Sequence, residues 1–529
     1  MFRRWFPLLL AVAQLMAQPA PERASVEGVV VNQRTGAPLA GVQLKLFGGG
    51  SRIQAATDRK GHFIFSGLDT GQYHLQAERA GFVPLQWSRI VLTLAAGDQL
   101  KDLTVRLTPQ AAISGALMDA DGAPIANVHI QVLRHTWRDG KRVLAIAGGA
   151  QSNDAGEFRI GGLAAGDYLM RAQPRELAVP LGEDKIKRIY VTTWYPGATE
   201  AVAAAALHLA SGEERAGAVF SLRASTVVKV YGRVIMPTPK SETNSAGVML
   251  MPADDFGLMD ILRGAQANGP EGTFVIPDVP PGAYRIQAQL IDPAASRPAL
   301  RNITSASQTI QVGDTDVEGI SLSAPQPRIV TGLVKWDDKP PKDAGSCMVS
   351  LLVSDTLMTE LPSTTTKADG AFSLEVPPDR FDLHVHCGAK GSYMKAASVG
   401  DTDILAAGID GTAALPAGPL QVTMATGAGQ IEGSVIDADS QPVGGATVAV
   451  IPDASKRASL FRSAITDQNG RFKLSDIIPG AYSLYAWDQI EDEEWRNAEF
   501  IKKYDDRRTR VQLDTGGRQA LQLQIVKVE

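Results

Sequence analysis

Few residues in this chain have types and spacing that could do chemistry. Cys347 and Cys387 are its two cysteines, and His384 and His386 stand at alternate positions just before the second. Alternation in a strand puts both imidazoles on one face. A thiolate there could complete a metal site. The same thiols could instead pair with each other, or stay reduced and buried. An exported chain favours the pair, because oxidising compartments permit disulfides. Asp119-Ala120-Asp121-Gly122 and Asp467-Gln468-Asn469-Gly470 look like fragments of calcium loops. Neither reaches a glutamate at the twelfth position, and an aspartate capping its own turn explains both. Nucleophile and phosphate motifs are missing: there is no Gly-x-Ser-x-Gly elbow and no Gly-x-x-x-x-Gly-Lys loop. The expectation is no catalytic residue, no cofactor and no resident metal.

Aromatics carry the binding hypothesis. Trp87, Trp137, Trp194, Trp336, Trp487 and Trp495 are spread along the chain. An indole facing solvent can stack on a sugar ring, although most indoles pack in cores. Trp194 with Tyr195 is the best candidate for an exposed ligand-binding patch, since it lies in an insertion that the rest of the chain mostly lacks. A net charge of −5 gives no electrostatic reason for a nucleic-acid partner.

The elements that hold these residues come from a repeat. A short strand with a central glycine recurs five times, at Gly28, Gly115, Gly232, Gly332 and Gly433. A polar turn ending in glycine then precedes an aromatic strand. In every copy, phenylalanine follows the turn glycine by two residues: Gly61 and Phe63, Gly156 and Phe158, Gly272 and Phe274, Gly370 and Phe372, Gly470 and Phe472. A second aromatic follows the turn glycine by 12, 12, 12, 11 and 12 residues, as Tyr73, Tyr168, Tyr284, Phe381 and Tyr482. Glycine at such a turn supplies a left-handed residue, and alternating apolar positions mark half-buried strands. The start glycines lie 87, 117, 100 and 101 residues apart, one immunoglobulin-sized sandwich per copy.

This cassette resembles the carboxypeptidase regulatory-like domain, a transthyretin-like seven-stranded sandwich. Strings of such domains behind a signal peptide resemble exported bacterial proteins of acidobacterial type. Trp194-Tyr195-Pro196-Gly197-Ala198 and Tyr485-Ala486-Trp487-Asp488 are similar to segments that recur in them. The resemblance implies an all-β chain of tandem immunoglobulin-like modules and, through the wider carbohydrate-binding-like fold, sugar as a ligand class. It does not imply peptidase chemistry. That would require His-x-x-Glu, and none of the seven histidines has a glutamate three residues on.

The organisation follows. Arg3 and Arg4 precede an apolar run from Trp5 to Met16, the pattern of a signal peptide, with cleavage after Ala17 or Ala13. No later stretch approaches the ~18 apolar residues of a membrane helix. The expected domains are 1–22, signal peptide and linker; 23–108, sandwich one; 109–225, sandwich two with an insertion at 176–225; 226–325, sandwich three; 326–425, a divergent sandwich four; and 426–529, sandwich five with a charged helical segment. That segment mixes Glu491, Glu493 and Glu494 with Lys502, Lys503 and Arg507 around Trp495, Phe500 and Tyr504. The function expected is non-catalytic binding or spacing by a protein that is secreted, periplasmic or at the cell surface. Its partners would be carbohydrate or an envelope protein. The alternative is an accessory subunit of an outer-membrane or secretion assembly.

Overall fold

The structure is a computed structural model. It describes residues 22–85, 90–138, 140–174, 187–235, 246–253, 263–268, 271–290, 304–323, 328–352, 362–377, 380–413, 418–453, 457, 460–488 and 490–528. The amino-terminal apolar run, Trp87 and the first part of the insertion lie outside these. The fold is all-β, with 62% strand and 4% helix.

Contacts divide the chain into two compact units, residues 1–80 with 84–107, and residues 81–83 with 108–529. The first unit holds two sheets. One has three strands, in the order His62–Leu68, Ala24–Asn32, Gln99–Leu107. The other has four, in the order Ser51–Ala56, Gln43–Gly48, Gly71–Glu78, Val91–Leu94. Alternate residues of these strands are buried, among them Val26, Val30, Leu44, Leu46, Phe63, Phe65, Tyr73 and Leu75. This is the period-2 burial of strands with one face on a core.

The second unit repeats the pair of sheets four times, and every sheet draws its strands from a single stretch of chain. In all five copies the start strand lies between two partner strands. It runs antiparallel to the phenylalanine strand and parallel to the closing strand.

The recurrent residues now have reasons. Each start glycine is the direct cross-strand partner of its copy's phenylalanine: Gly28 of Phe63, Gly115 of Phe158, Gly232 of Phe274, Gly332 of Phe372, Gly433 of Phe472. A Cβ on Gly28 would stand 2.0 Å from the Leu103 carbonyl oxygen and 2.9 Å from the Phe63 ring. On Gly332 it would stand 2.2 Å from the Phe372 ring. The ring covers bare backbone, so glycine and phenylalanine act as one unit.

The tyrosines do more than pack. Tyr73, Tyr168, Tyr284 and Tyr482 each donate the hydroxyl to the carbonyl four residues back, on Asp69, Ala164, Pro280 and Ile478, at 2.9, 2.7, 3.0 and 2.6 Å. This ties the turn to the core. A hydroxyl just before the polar turn adds a second tie. Thr57, Ser152, Thr366 and Thr466 are buried and accept the amide N–H of Val42, Val128, Cys347 and Ala446.

The fourth copy departs from the plan. After strand Arg380–His386 the chain crosses to the opposite sheet, where Tyr393–Val399 pairs with Leu420–Ala425. Arg380–His386 is left beside the two-residue strand Ile409–Asp410. Phe381 replaces tyrosine here and has no hydroxyl to tie its turn.

Candidate functional site

The departures from the repeat have defined places in the structure. Trp194 is 5% exposed. It packs with Leu133, Leu144 and Ala201, and Arg171 lies over its ring with the guanidinium carbon 5.4 Å from the centroid. Arg171 is itself buried and grips the Gln131 carbonyl oxygen with Nε at 2.9 Å and Nη2 at 2.7 Å. Gln131 and Arg171 are cross-strand partners on the sheet that Trp194 covers. The indole therefore acts as a lid on the sheet, and the expectation of an exposed face at Trp194 is corrected. An insertion carries no repeat from which to read its buried face, and an apolar sheet face attracts the largest ring nearby. Tyr195 is half-buried and meets Phe220 edge-on, with centroids 5.9 Å apart. Among the described residues no tryptophan is exposed; Trp137 and Trp336 are half-buried.

Cys347 and Cys387 are bonded to each other. Both sulfurs lie in the core of the fourth sandwich with Val349, Val385 and Leu351. Met348 and His386 are cross-strand partners, so the bond extends the ladder by one covalent rung. Cys347 takes the place of Val42, Val128 and Ala446 in the other copies, as its shared contact with the turn hydroxyl shows. No thiolate remains for His384 and His386 to share. Burial, with His386, Arg457 and Arg462 adding like charge, holds the His384 imidazole below its usual pKa. No cluster of three metal-ligating side chains occurs among the described residues.

The calcium-like runs are turns. Asp119 Oδ1 accepts the amides of Asp121 and Ala123, and Asp467 Oδ1 those of Asn469 and Arg471, at 2.8–2.9 Å. A carboxylate engaged by two amides caps its own loop.

The charged carboxy-terminal segment forms short helical pieces, Glu494–Arg496, Ala498–Lys502 and Asp505–Arg507. Its apolar side is a second core. Trp495, Phe500 and Tyr504 close over Tyr485, Trp487 and Ala449, on the far side of the fifth sandwich's own core. The Tyr485 and Trp487 rings stack at 5.1 Å with planes 11° apart. Asn497 caps Ala498–Lys502 by accepting the Phe500 amide at 2.9 Å.

One contact escaped the sequence reading. The second sandwich's hairpin, His129–Arg138 and Lys141–Gln151, is the longest of its kind in the described chain; its counterpart in the first copy is Gln43–Gly48 and Ser51–Ala56. Its end meets the carboxy-terminal cap, with Asn497 Nδ2 donating to the Gly140 carbonyl at 2.9 Å. Gly140 has φ +73°, and a Cβ there would stand 2.6 Å from the Arg496 carbonyl oxygen. The sequence signal was Asp139-Gly140, a two-residue hairpin turn inside an overlong copy.

Known proteins resemble parts of the chain. Residues 25–108 and 430–524 match the carboxypeptidase regulatory-like domain, which covers the first and fifth sandwiches. No curated protein matches the chain. Similar solved structures include BcpA, the major pilin subunit of Bacillus cereus, 11% identical over 95% of this chain and 99% of that one, with a TM-score of 0.16. GBS52, the minor pilin of Streptococcus agalactiae, is 16% identical over 42% of this chain and 98% of that one, with a TM-score of 0.21. The shaft pilin SpaA of Lactobacillus rhamnosus GG is 13% identical over 39% of this chain and 98% of that one, with a TM-score of 0.19. Among the described residues no helix is long and apolar enough to cross a membrane.

Proposed function

We propose that this chain is a non-catalytic, exported modular protein that spaces or binds in the cell envelope. One observation carries the reading: the side chains with chemical potential are engaged by the fold. Trp194 is a lid, the two cysteines are bonded together, and the turn aspartates cap their own loops. Such a chain offers repeated, self-sufficient sandwiches and the surfaces between them. The buried disulfide supports export, because such bonds persist in oxidising compartments. The apolar run after Arg3 and Arg4 supports it independently.

Fractionation of the source cell tests this. Recovery in the periplasm, at the surface or in the medium is expected. Recovery of the chain in the cytoplasm with both thiols free would sink the proposal. Carbohydrate binding is the narrower form, and a glycan array decides it. Given the burial of Trp194, a genuine sugar site must survive Trp194→Phe, which keeps an aromatic lid. Absence of binding across a broad array would discard the narrower form and leave spacing in place. An accessory role in an envelope assembly predicts stoichiometric co-purification from membrane fractions.

A further inference from the structure

We propose that the hairpin of the second sandwich and the helical cap of the fifth form a clasp, a built-in fastening that holds residues 226–425 as a closed loop of chain. The proposal goes beyond the spacing role and stands on separate observations.

The hairpin's length comes first. The first copy builds this hairpin from strands of 6 and 6 residues, and the fifth from 6 and 4. The second uses 10 and 11. At least four added residues per strand extend it by about 13 Å or more. A projecting two-stranded ribbon has little stability of its own, so a docking partner accounts for its order. The fit at the tip comes second. Gly140 is left-handed, and a Cβ built on it would stand 2.6 Å from the Arg496 carbonyl oxygen, so no side chain has room there. Asn497 serves both sides at once: its Oδ1 caps the helix through the Phe500 amide, and its Nδ2 reaches the Gly140 carbonyl 357 positions away in sequence. Charge is third. Arg142 on the hairpin lies within electrostatic reach of Glu494 on the cap.

Each of the two elements also adjoins an apolar cover. Leu144, four residues past the turn of the same hairpin and opposite His135, belongs to the cluster under Trp194. Trp495, next to Arg496, belongs to the aromatic core of the cap. The elongated hairpin and the helical cap, both departures from the repeat, are joined at Gly140 and Asn497.

The test uses the whole chain and reads amide hydrogen exchange by mass spectrometry. Asn497→Asp keeps an oxygen for the Phe500 amide and removes the donor to Gly140. Gly140→Asn keeps a residue tolerant of left-handed backbone and adds the excluded Cβ. In the unaltered protein, amides of 133–145 and 490–504 should be protected together. Each variant should accelerate both segments at least tenfold, with core strands Glu157–Leu163 and Arg471–Ile477 unchanged. The decisive reading is that Asn497→Asp, made in the fifth sandwich, loosens the hairpin of the second. Acceleration confined to the mutated segment would overturn the clasp, as would a hairpin tip unprotected in the unaltered protein. Protection that rises with protein concentration would place the contact between copies and also overturn it.

Discussion

Removing the disulfide of the fourth sandwich should destabilise that sandwich far more than a packing change would. The bond closes a loop with a sequence separation of 40. The chain-entropy relation gives about 4 kcal/mol for a loop of this size. The packing term is smaller, because other copies put Val42, Val128 or Ala446 at the position of Cys347. The perturbation is therefore Cys347→Val with Cys387→Ala, which keeps the site apolar. No tyrosine hydroxyl offsets the loss, since Phe381 stands where the tyrosines stand elsewhere. With a urea m-value of about 1.5 kcal/mol/M for one module, the midpoint should fall by about 2–3 M. Hydrogen exchange of peptides covering Ala371–Val376 and Arg380–His386 reads this sandwich separately from the others. Reductant should reproduce the shift in the unaltered chain once urea exposes the bond. A midpoint drop below about 0.5 M would refute the entropic reasoning. Two free thiols in the exported protein, found by mass spectrometry without reductant, would refute its premise.

Four further outcomes follow from the same geometry. Gly433→Ala sets a Cβ 2.0 Å from the Leu521 carbonyl oxygen and should cost the fifth sandwich about 2–3 kcal/mol in denaturant titration; Gly122→Ala, with nothing within 4 Å but φ +83°, should cost only about 1 kcal/mol. Tyr482→Phe removes a 2.6 Å hydrogen bond to the Ile478 carbonyl and should cost about 1 kcal/mol, with no loss from the same change in packing volume. Trp194→Ala uncovers Leu133, Leu144 and Arg171 and should cost about 3–5 kcal/mol in the second sandwich, measured by its thermal melting. Asp410 is held at about 2, first by the Thr412 hydroxyl, then by the Thr412 amide, with Arg380 adding to the effect. Its pKa is depressed on folding, so its contribution is whole above the unfolded value near 3.8 and disappears as pH falls toward 2. Protection of the Thr412 and Ala413 amides should follow that window, and Asp410→Asn should erase the dependence.

The framework was legible because it repeats. Five glycines, five phenylalanines and a nearly fixed distance to the next aromatic can only be a shared backbone plan. The physical cause was less legible. Spacing shows that Gly28 and Phe63 travel together, but only the register shows the ring lying across the glycine. The buried hydroxyls of Thr57, Ser152, Thr366 and Thr466 went unread because a serine or threonine before a polar turn looks like ordinary turn composition. Trp194 misled for the opposite reason. It was conspicuous, and outside the repeat no periodicity says which way a side chain faces. The sheet exchange in the fourth copy depends on Tyr393–Val399 choosing Leu420–Ala425 as partner, a long-range pairing that local pattern does not encode.

The meeting of Gly140 and Asn497 also changes how the chain would carry a load. A string of sandwiches pulled from its ends normally bears tension in series, each link feeling all of it. Here the proposed clasp, with the hydrogen bond from Asn497 to the Gly140 carbonyl at its centre, offers a shorter path between the second and fifth sandwiches. While the proposed clasp holds, it would take load that otherwise passes through the third and fourth sandwiches. When it parts, they enter the line folded and intact, and the tether lengthens without any core having unravelled. A joint made of a hydrogen bond and surface contacts would then work as a fuse, and its parting would be reversible.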